Sequence, residues 1–141
     1  MDIYTNNNIE YPYSLVTQNI RVSVKTNFLT DQSDEDNNLW VWSYSILIEN
    51  NRKETVQLID RYWKITDEKG HIQEVKGAGV IGQQPIIEPK NSFQYSSGTP
   101  LSKPSGFMNG TYNMLYEGNK TLKVIIPTFS LDIPLNKIIL N

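Results

Sequence analysis

A repeated alternation of apolar and polar residues is the feature that most restricts the fold of this chain. Residues 20–28 place apolar side chains at Ile20, Val22, Val24 and Phe28, and polar ones at Arg21, Ser23, Lys25 and Asn27. Because successive side chains of a strand point to opposite faces, this pattern predicts a strand with one buried face and one solvated face. Alanine, the strongest helix former, occurs once, at Ala78.

Similar strand patterns recur at short intervals and are separated by turn residues. They cover residues 40–48, 55–66, 71–76, 93–97, 107–116 and 122–126, and a last one, after a break predicted at Pro127, covers 129–133. Seven to nine short antiparallel strands without a convincing helix predict an all-β sandwich. A closed β-barrel is the alternative.

The length of 141 residues suits a single domain. Residues 1–18 are rich in asparagine and lack the alternation, so we expect a flexible arm outside the core. The sandwich domain is therefore expected to span residues 19–141.

Composition excludes several classes of function. Cysteine is absent and histidine occurs once, which excludes disulfides and thiolate metal sites and argues against a Ser-His-Asp site. The net charge of −2 provides no basic field for nucleic acid. No apolar run approaches the ~20 residues of a membrane helix, and no signal peptide precedes the strands. A cytoplasmic protein without a direct membrane span is expected.

The most suggestive motif is a G-x-G-x-x-G formed by Gly77, Gly79 and Gly82. In a dinucleotide fold such glycines precede a helix whose N-terminus binds pyrophosphate. Two prolines follow within seven residues here and leave no room for that helix. We interpret the motif as a glycine-rich crossing between strands that needs positive φ. The alternative is an anion site completed by Lys76 or Arg61.

An acidic run provides the candidate metal ligands, which are Asp31, Asp34, Glu35 and Asp36. Their spacing is not that of a calcium-binding loop, so a solvated turn is the simpler interpretation. At most weak binding of Mg²⁺ or Co²⁺ is expected, because binding would have to order the loop. His71 has no nearby His, Cys or Asp partner in this interpretation and is expected to be a surface residue.

Three further features are interpreted structurally. Trp40, Trp42 and Tyr44 share one face of a strand and are expected in the core, with a ligand-binding face as the alternative. Arg61 is expected to make a structural cross-strand contact. The alternative is a functional role in which it pairs with a carboxylate or stacks on an aromatic ring. Tyr112 lies where a sandwich often keeps a tyrosine corner, with its hydroxyl bound to loop backbone.

Several stretches together resemble the ApaG family, in one order over about residues 19–135. They are Val56-Gln57-Leu58, Arg61-Tyr62-Trp63-Lys64-Ile65-Thr66-Asp67, Val75-Lys76-Gly77-Ala78-Gly79-Val80-Ile81-Gly82-Gln83-Gln84-Pro85, Phe93-Gln94-Tyr95-Ser96-Ser97-Gly98, Gly106-Phe107-Met108-Asn109-Gly110-Thr111-Tyr112 and Pro127-Thr128-Phe129-Ser130-Leu131. One departure is Lys90-Asn91, where the family usually has glycine after the proline.

The resemblance implies a fibronectin-III- or immunoglobulin-like sandwich and a small bacterial cytoplasmic protein associated with cobalt resistance and magnesium transport (Co²⁺/Mg²⁺ efflux). No catalytic residues are established for the family. The expectation is therefore a non-enzymatic binding or accessory protein that acts through a protein partner, as a monomer or homodimer. The alternative is a nucleotide- or pyrophosphate-binding protein that uses the glycine loop 77–82, which the family's glycine motif has suggested.

Overall fold

The computed structural model describes residues 11–133. Within that range the chain forms nine strands and two 3-10 turns. The strands are β1 Tyr13–Thr17, β2 Ile20–Phe28, β3 Trp40–Asn50, β4 Val56–Asp67, β5 Ile72–Ala78, β6 Ile86–Ile87, β7 Ser92–Leu101, β8 Ser105–Tyr116 and β9 Lys120–Asp132. The 3-10 turns are Thr30–Gln32 and Glu35–Asn37. No helix in the described residues is long and apolar enough to cross a bilayer.

The strands form two antiparallel sheets that pack face to face. The first sheet has the order β1-β2-β3-β7, and the second has the order β5-β4-β8-β9, with β6 also paired to β4. The predicted all-β sandwich of seven to nine strands is confirmed, and the closed barrel is not what forms. Period-two alternation places one apolar face of each sheet toward the other.

The core is aromatic and aliphatic. Trp40, Trp42 and Tyr44 on β3 are buried, as predicted from their spacing. The ring of Trp63 lies edge-on to that of Tyr44, with 5.2 Å between their centroids, and Phe129 packs against both. This packing leaves the outward side chains of the sheets as the candidates for function.

The structure corrects two predictions, the flexible arm over residues 1–18 and the strand break at Pro127. Tyr13–Thr17 pairs with β2 and Tyr11 is buried, so a flexible arm does not extend to residue 18. Residues 1–10 of the predicted arm and 134–141 of the predicted domain lie outside the described residues. Pro127 does not end a strand, because β9 continues through it to Asp132.

Strand β9 continues through Pro127 because the proline lies at a β-bulge. Gly110 pairs with Ile126 and Met108 pairs with Phe129, so Pro127 and its neighbour oppose one residue of β8. At a bulge the ladder is locally interrupted, and the missing N–H of proline is tolerated there.

Strands β1 and β9 belong to different sheets but lie side by side. The amide of Ile125 donates to the Thr17 hydroxyl at 3.1 Å, and the hydroxyls of Tyr13 and Ser130 are 3.0 Å apart. These contacts cover the free edge of β9 with side-chain hydroxyls of β1. One side of the sandwich is closed in this way.

Candidate functional site

The glycine motif forms a tight hairpin turn. The amide of Val80 donates to the Gln83 carbonyl at 2.8 Å, and the amide of Gln83 donates back at 2.9 Å. Ile81 and Gly82 between them have φ of 42° and 77°, the left-handed geometry of a type I′ turn. The prediction of a crossing with positive φ is confirmed, and no helix follows it.

Gly79 is the position in this turn where no side chain fits. Its φ is +62°, and a Cβ built on it would lie 2.1 Å from the carbonyl oxygen of Gln83. Its own amide donates to the Ile59 carbonyl at 2.8 Å. The glycine therefore permits the close approach of the two arms of the hairpin.

Arg61 braces this hairpin. Its guanidinium donates to the carbonyls of Ala78 and Gly79, at 3.1 and 2.7 Å. A Cβ on Gly77 would lie 2.9 Å from the same guanidinium, so that glycine makes room for the arginine. The predicted structural cross-strand contact of Arg61 is confirmed, and its partners are two backbone carbonyls rather than a carboxylate or an aromatic ring.

The side chain of Lys76 leaves strand β5 on the other face of the sheet. Lys76 pairs with Tyr62, and Arg61 pairs with Gly77. Because neighbouring residues of a strand point to opposite faces, the two cations lie on opposite faces of the second sheet. The ammonium of Lys76 lies 5.7 Å from the centre of the Tyr62 ring. The anion site at Gly77, Gly79 and Gly82 stays a prediction. Arg61 contacts this turn directly, whereas Lys76 lies against Tyr62 but lines one groove together with Arg61 and Gly77.

The outward face of the second sheet carries an open groove. We call it the outer groove, and its volume is about 830 Å³. Its charged and polar lining residues include Asp60, Tyr62, Glu74, Lys76, Asn113 and Lys123.

Hydrogen bonds fix several of these side chains. The Tyr62 hydroxyl donates to the Glu74 carboxylate at 2.7 Å, and the Asn113 amide donates to the Asp60 carboxylate at 2.7 Å. The hydrogen bond to Glu74 raises the pKa of Tyr62, helped by desolvation and by the negative charge of that carboxylate. The phenol therefore remains protonated at neutral pH. The groove offers an ordered mixture of charges suited to binding.

The acidic run is folded into the two 3-10 turns. The Asn37 amide donates to the Asp34 carboxylate at 2.6 Å, and the Trp40 indole donates to the Glu35 carboxylate at 3.3 Å. All four candidate acids are exposed, and two of them, Asp34 and Glu35, accept hydrogen bonds from their own loop. Across the described residues, no three His, Asp or Glu side chains converge on a point where a metal ion would be held.

His71 has a carboxylate neighbour, which the sequence interpretation denied. Its Nδ1 lies 3.3 Å from the Asp67 carboxylate, across the β4–β5 turn. The amides of Lys69 and His71 also donate to Asp67, at 2.8 and 3.0 Å. Desolvation raises the pKa of Asp67, but these hydrogen bonds outweigh it and lower that pKa below its usual value. The arrangement is that of a capped turn.

A pair of tyrosines was missed by the sequence analysis. The hydroxyls of Tyr95 on β7 and Tyr112 on β8 are 2.5 Å apart inside the sandwich. The predicted tyrosine corner is therefore wrong, because Tyr112 binds a side chain of the opposite sheet. Burial raises the pKa of both phenols well above the usual value, so both stay neutral. The inward positions of both residues were readable from the alternation, but their contact across the sheets was not.

Comparison with known proteins gives consistent matches. A family model described as the ApaG domain matches residues 30–116. A Protein ApaG from Brucella anthropi is 53% identical over 129 residues, covering 92% of this chain and 99% of that protein. The corresponding protein of Brucella canis is 50% identical over the same shares. A crystal structure from Bordetella pertussis, provisionally assigned as an ApaA protein, is 40% identical with a TM-score of 0.80, covering 82% of this chain and 94% of that one.

Proposed function

Since this chain belongs to the ApaG family, we propose that it is a non-enzymatic binding protein that acts through a protein partner in divalent-cation homeostasis. The outer groove carries the proposal. It is open, of mixed charge, and built on the rigid strands β4, β5, β8 and β9. Rigid strands present side chains in fixed positions, which favours specific recognition.

The chemistry of the described side chains agrees with binding. A hydrolase needs a general base and an activated nucleophile or metal near each other. The groove has a protonated phenol and two carboxylates that already accept hydrogen bonds. The partner would be a protein surface that presents complementary charges to Asp60 and Glu74 on one side and to Lys76 and Lys123 on the other.

The link to cobalt and magnesium comes from the family resemblance. In this proposal the protein regulates a cation-transport system by binding one of its components. In this proposal the cation is bound by the partner; among the described residues no three His, Asp or Glu side chains form a group that could hold it.

A photo-crosslinking experiment in the native host tests the proposal. A photoreactive amino acid replaces Thr111 in the groove, and a matched control replaces Ser96 on the outward face of the first sheet. We expect one protein to crosslink from position 111 and not from position 96. A Tyr62→Ala, Lys123→Glu variant that folds normally should fail to restore cobalt resistance in a strain lacking the gene. Equal crosslinking from both positions, or full restoration by the variant, would contradict the proposal.

A further inference from the structure

Strand β5 is the exposed edge of the second sheet. Among the strands of residues 11–133 it pairs only with β4, and Ile72 near its start is 55% exposed. The other edges differ from it. Strand β9 is covered by β1, and β7, the edge of the first sheet, carries Pro100. An uncovered edge strand with a free row of backbone groups is a template for another strand.

The hydrogen-bond pattern shows which backbone groups of β5 point away from β4. The amide of Asp67 donates to the His71 carbonyl, and the amide of Gly79 donates to the Ile59 carbonyl. In an antiparallel ladder bonded pairs alternate, so residues 71, 73, 75, 77 and 79 bond to β4. The N–H and C=O groups of Ile72, Glu74 and Lys76 and the N–H of Ala78 therefore face outward, whereas the Ala78 carbonyl already accepts a hydrogen bond from Arg61.

The side chains of these even-numbered residues carry charges of opposite sign two positions apart. If two copies of β5 pair antiparallel with Val75 opposite Val75 of the second copy, Glu74 stands opposite Lys76 of the second copy, and the reverse holds too. The outward backbone groups then meet in the same register, giving about six main-chain hydrogen bonds. Opposite charges on directly facing residues stabilise a strand pair.

Neighbouring registers lack this match. A shift by two residues in one direction places Glu74 opposite Glu74 of the second copy, and a shift in the other direction places Lys76 opposite Lys76. Like charges directly opposite each other are destabilising. Charged residues usually protect an edge strand from pairing, but the sign order on β5 favours its own copy in one register.

We propose that β5 is a self-association edge, through which two copies of this chain form a symmetric dimer with one continuous sheet. A two-fold axis at Val75 makes the contact isologous, the commonest arrangement in homodimers. The inference goes beyond the proposed function, because partner binding at the outer groove does not require it. An interface of one strand pair is at the weak end of the range, so the dimer should form at high protein concentration.

Paired charge reversals test the proposal by sedimentation equilibrium at protein concentrations up to about 1 mM. Glu74→Lys and Lys76→Glu should each weaken dimerisation at least about tenfold, because each converts two attractive pairs into two repulsive ones. Glu88→Lys and Lys123→Glu are the matched controls, since they make the same charge changes away from the edge, and they should leave dimerisation unchanged. Thermal unfolding checks that every variant folds.

Two combinations make the test specific for the register. The double variant Glu74→Lys, Lys76→Glu should dimerise like the wild type. An equimolar mixture of the two single variants should form heterodimers, because one then presents two lysines to two glutamates of the other. A wild type that stays monomeric at about 1 mM, or single variants that dimerise normally, would overturn the proposal. A mixture that fails to recover association would overturn the register.

Discussion

Replacing Gly79 by alanine should destabilise the protein through one atom. The new Cβ would lie 2.1 Å from the carbonyl oxygen of Gln83, at a residue whose φ is +62°. Holding an alanine in the left-handed region costs about 1–2 kcal/mol. Relief of the clash breaks the two Val80–Gln83 hydrogen bonds, each worth about 0.5–1.5 kcal/mol.

The free energy of unfolding should therefore fall by about 2–5 kcal/mol, out of a typical total of about 5–15 kcal/mol. For a chain of this size that corresponds to a drop in Tm of roughly 6–20 °C. Urea unfolding followed by tryptophan fluorescence measures the loss, since Trp42 and Trp63 are buried.

Gly82→Ala is the matched control. Gly82 also has positive φ, at +77°, but a Cβ there would have no atom within 4 Å. Gly82→Ala should lower the free energy of unfolding only by the cost of the left-handed backbone, about 1–2 kcal/mol. The difference in stability between the two variants therefore isolates the cost of the steric clash. Equal losses would refute the reasoning. A Gly79→Ala protein that unfolds like the wild type but no longer binds ATP or pyrophosphate would instead support the anion site.

Three further predictions concern other parts of the molecule. Asp67→Ala should lower the free energy of unfolding at pH 7, because a carboxylate whose pKa is lowered by folding stabilises the fold at pH values above its ordinary pKa of 3.8. Urea unfolding should show the difference in stability between wild type and variant shrinking as the pH falls below 3.8. Tyr95→Phe should cost about 1–3 kcal/mol by leaving the buried hydroxyl of Tyr112 unpartnered, and replacement of both tyrosines by Phe should cost less than the sum of the single changes in the same assay. Calorimetric titration of chelator-treated protein with Mg²⁺ and Co²⁺ should give binding no tighter than about millimolar, unchanged by His71→Ala, whereas a micromolar cobalt site lost with His71 would contradict this prediction.

The sequence predicted the architecture because period-two alternation is a local signal. Strands such as β2 and β3 each show it over nine or more residues, and each has one buried face. The signal failed at Tyr13–Thr17, where only the pairing with β2 makes a strand out of an irregular segment. It failed again at Pro127, because a bulge depends on the residues opposite, which the local pattern does not reveal.

The candidate site was only partly predictable for the same reason. Positive φ at Gly79 follows from a glycine in a turn, and the structure has it. The position of Lys76 on the opposite face from Arg61 follows from strand alternation, but only once β4 and β5 are known to be continuous there. The contact between Tyr95 and Tyr112 joins two sheets, and nothing in either segment specifies it.

The hydroxyl contacts between β1 and β9 have a practical consequence for anyone who shortens this protein. Removal of the first 17 residues would remove the hydrogen bonds between Thr17 and the Ile125 amide and between the hydroxyls of Tyr13 and Ser130. The edge of β9 would then be exposed and could pair with β1 of another molecule. Such strand exchange between molecules is a route to aggregation. Affinity tags are better placed so that cleavage leaves Tyr11 to Thr17 intact.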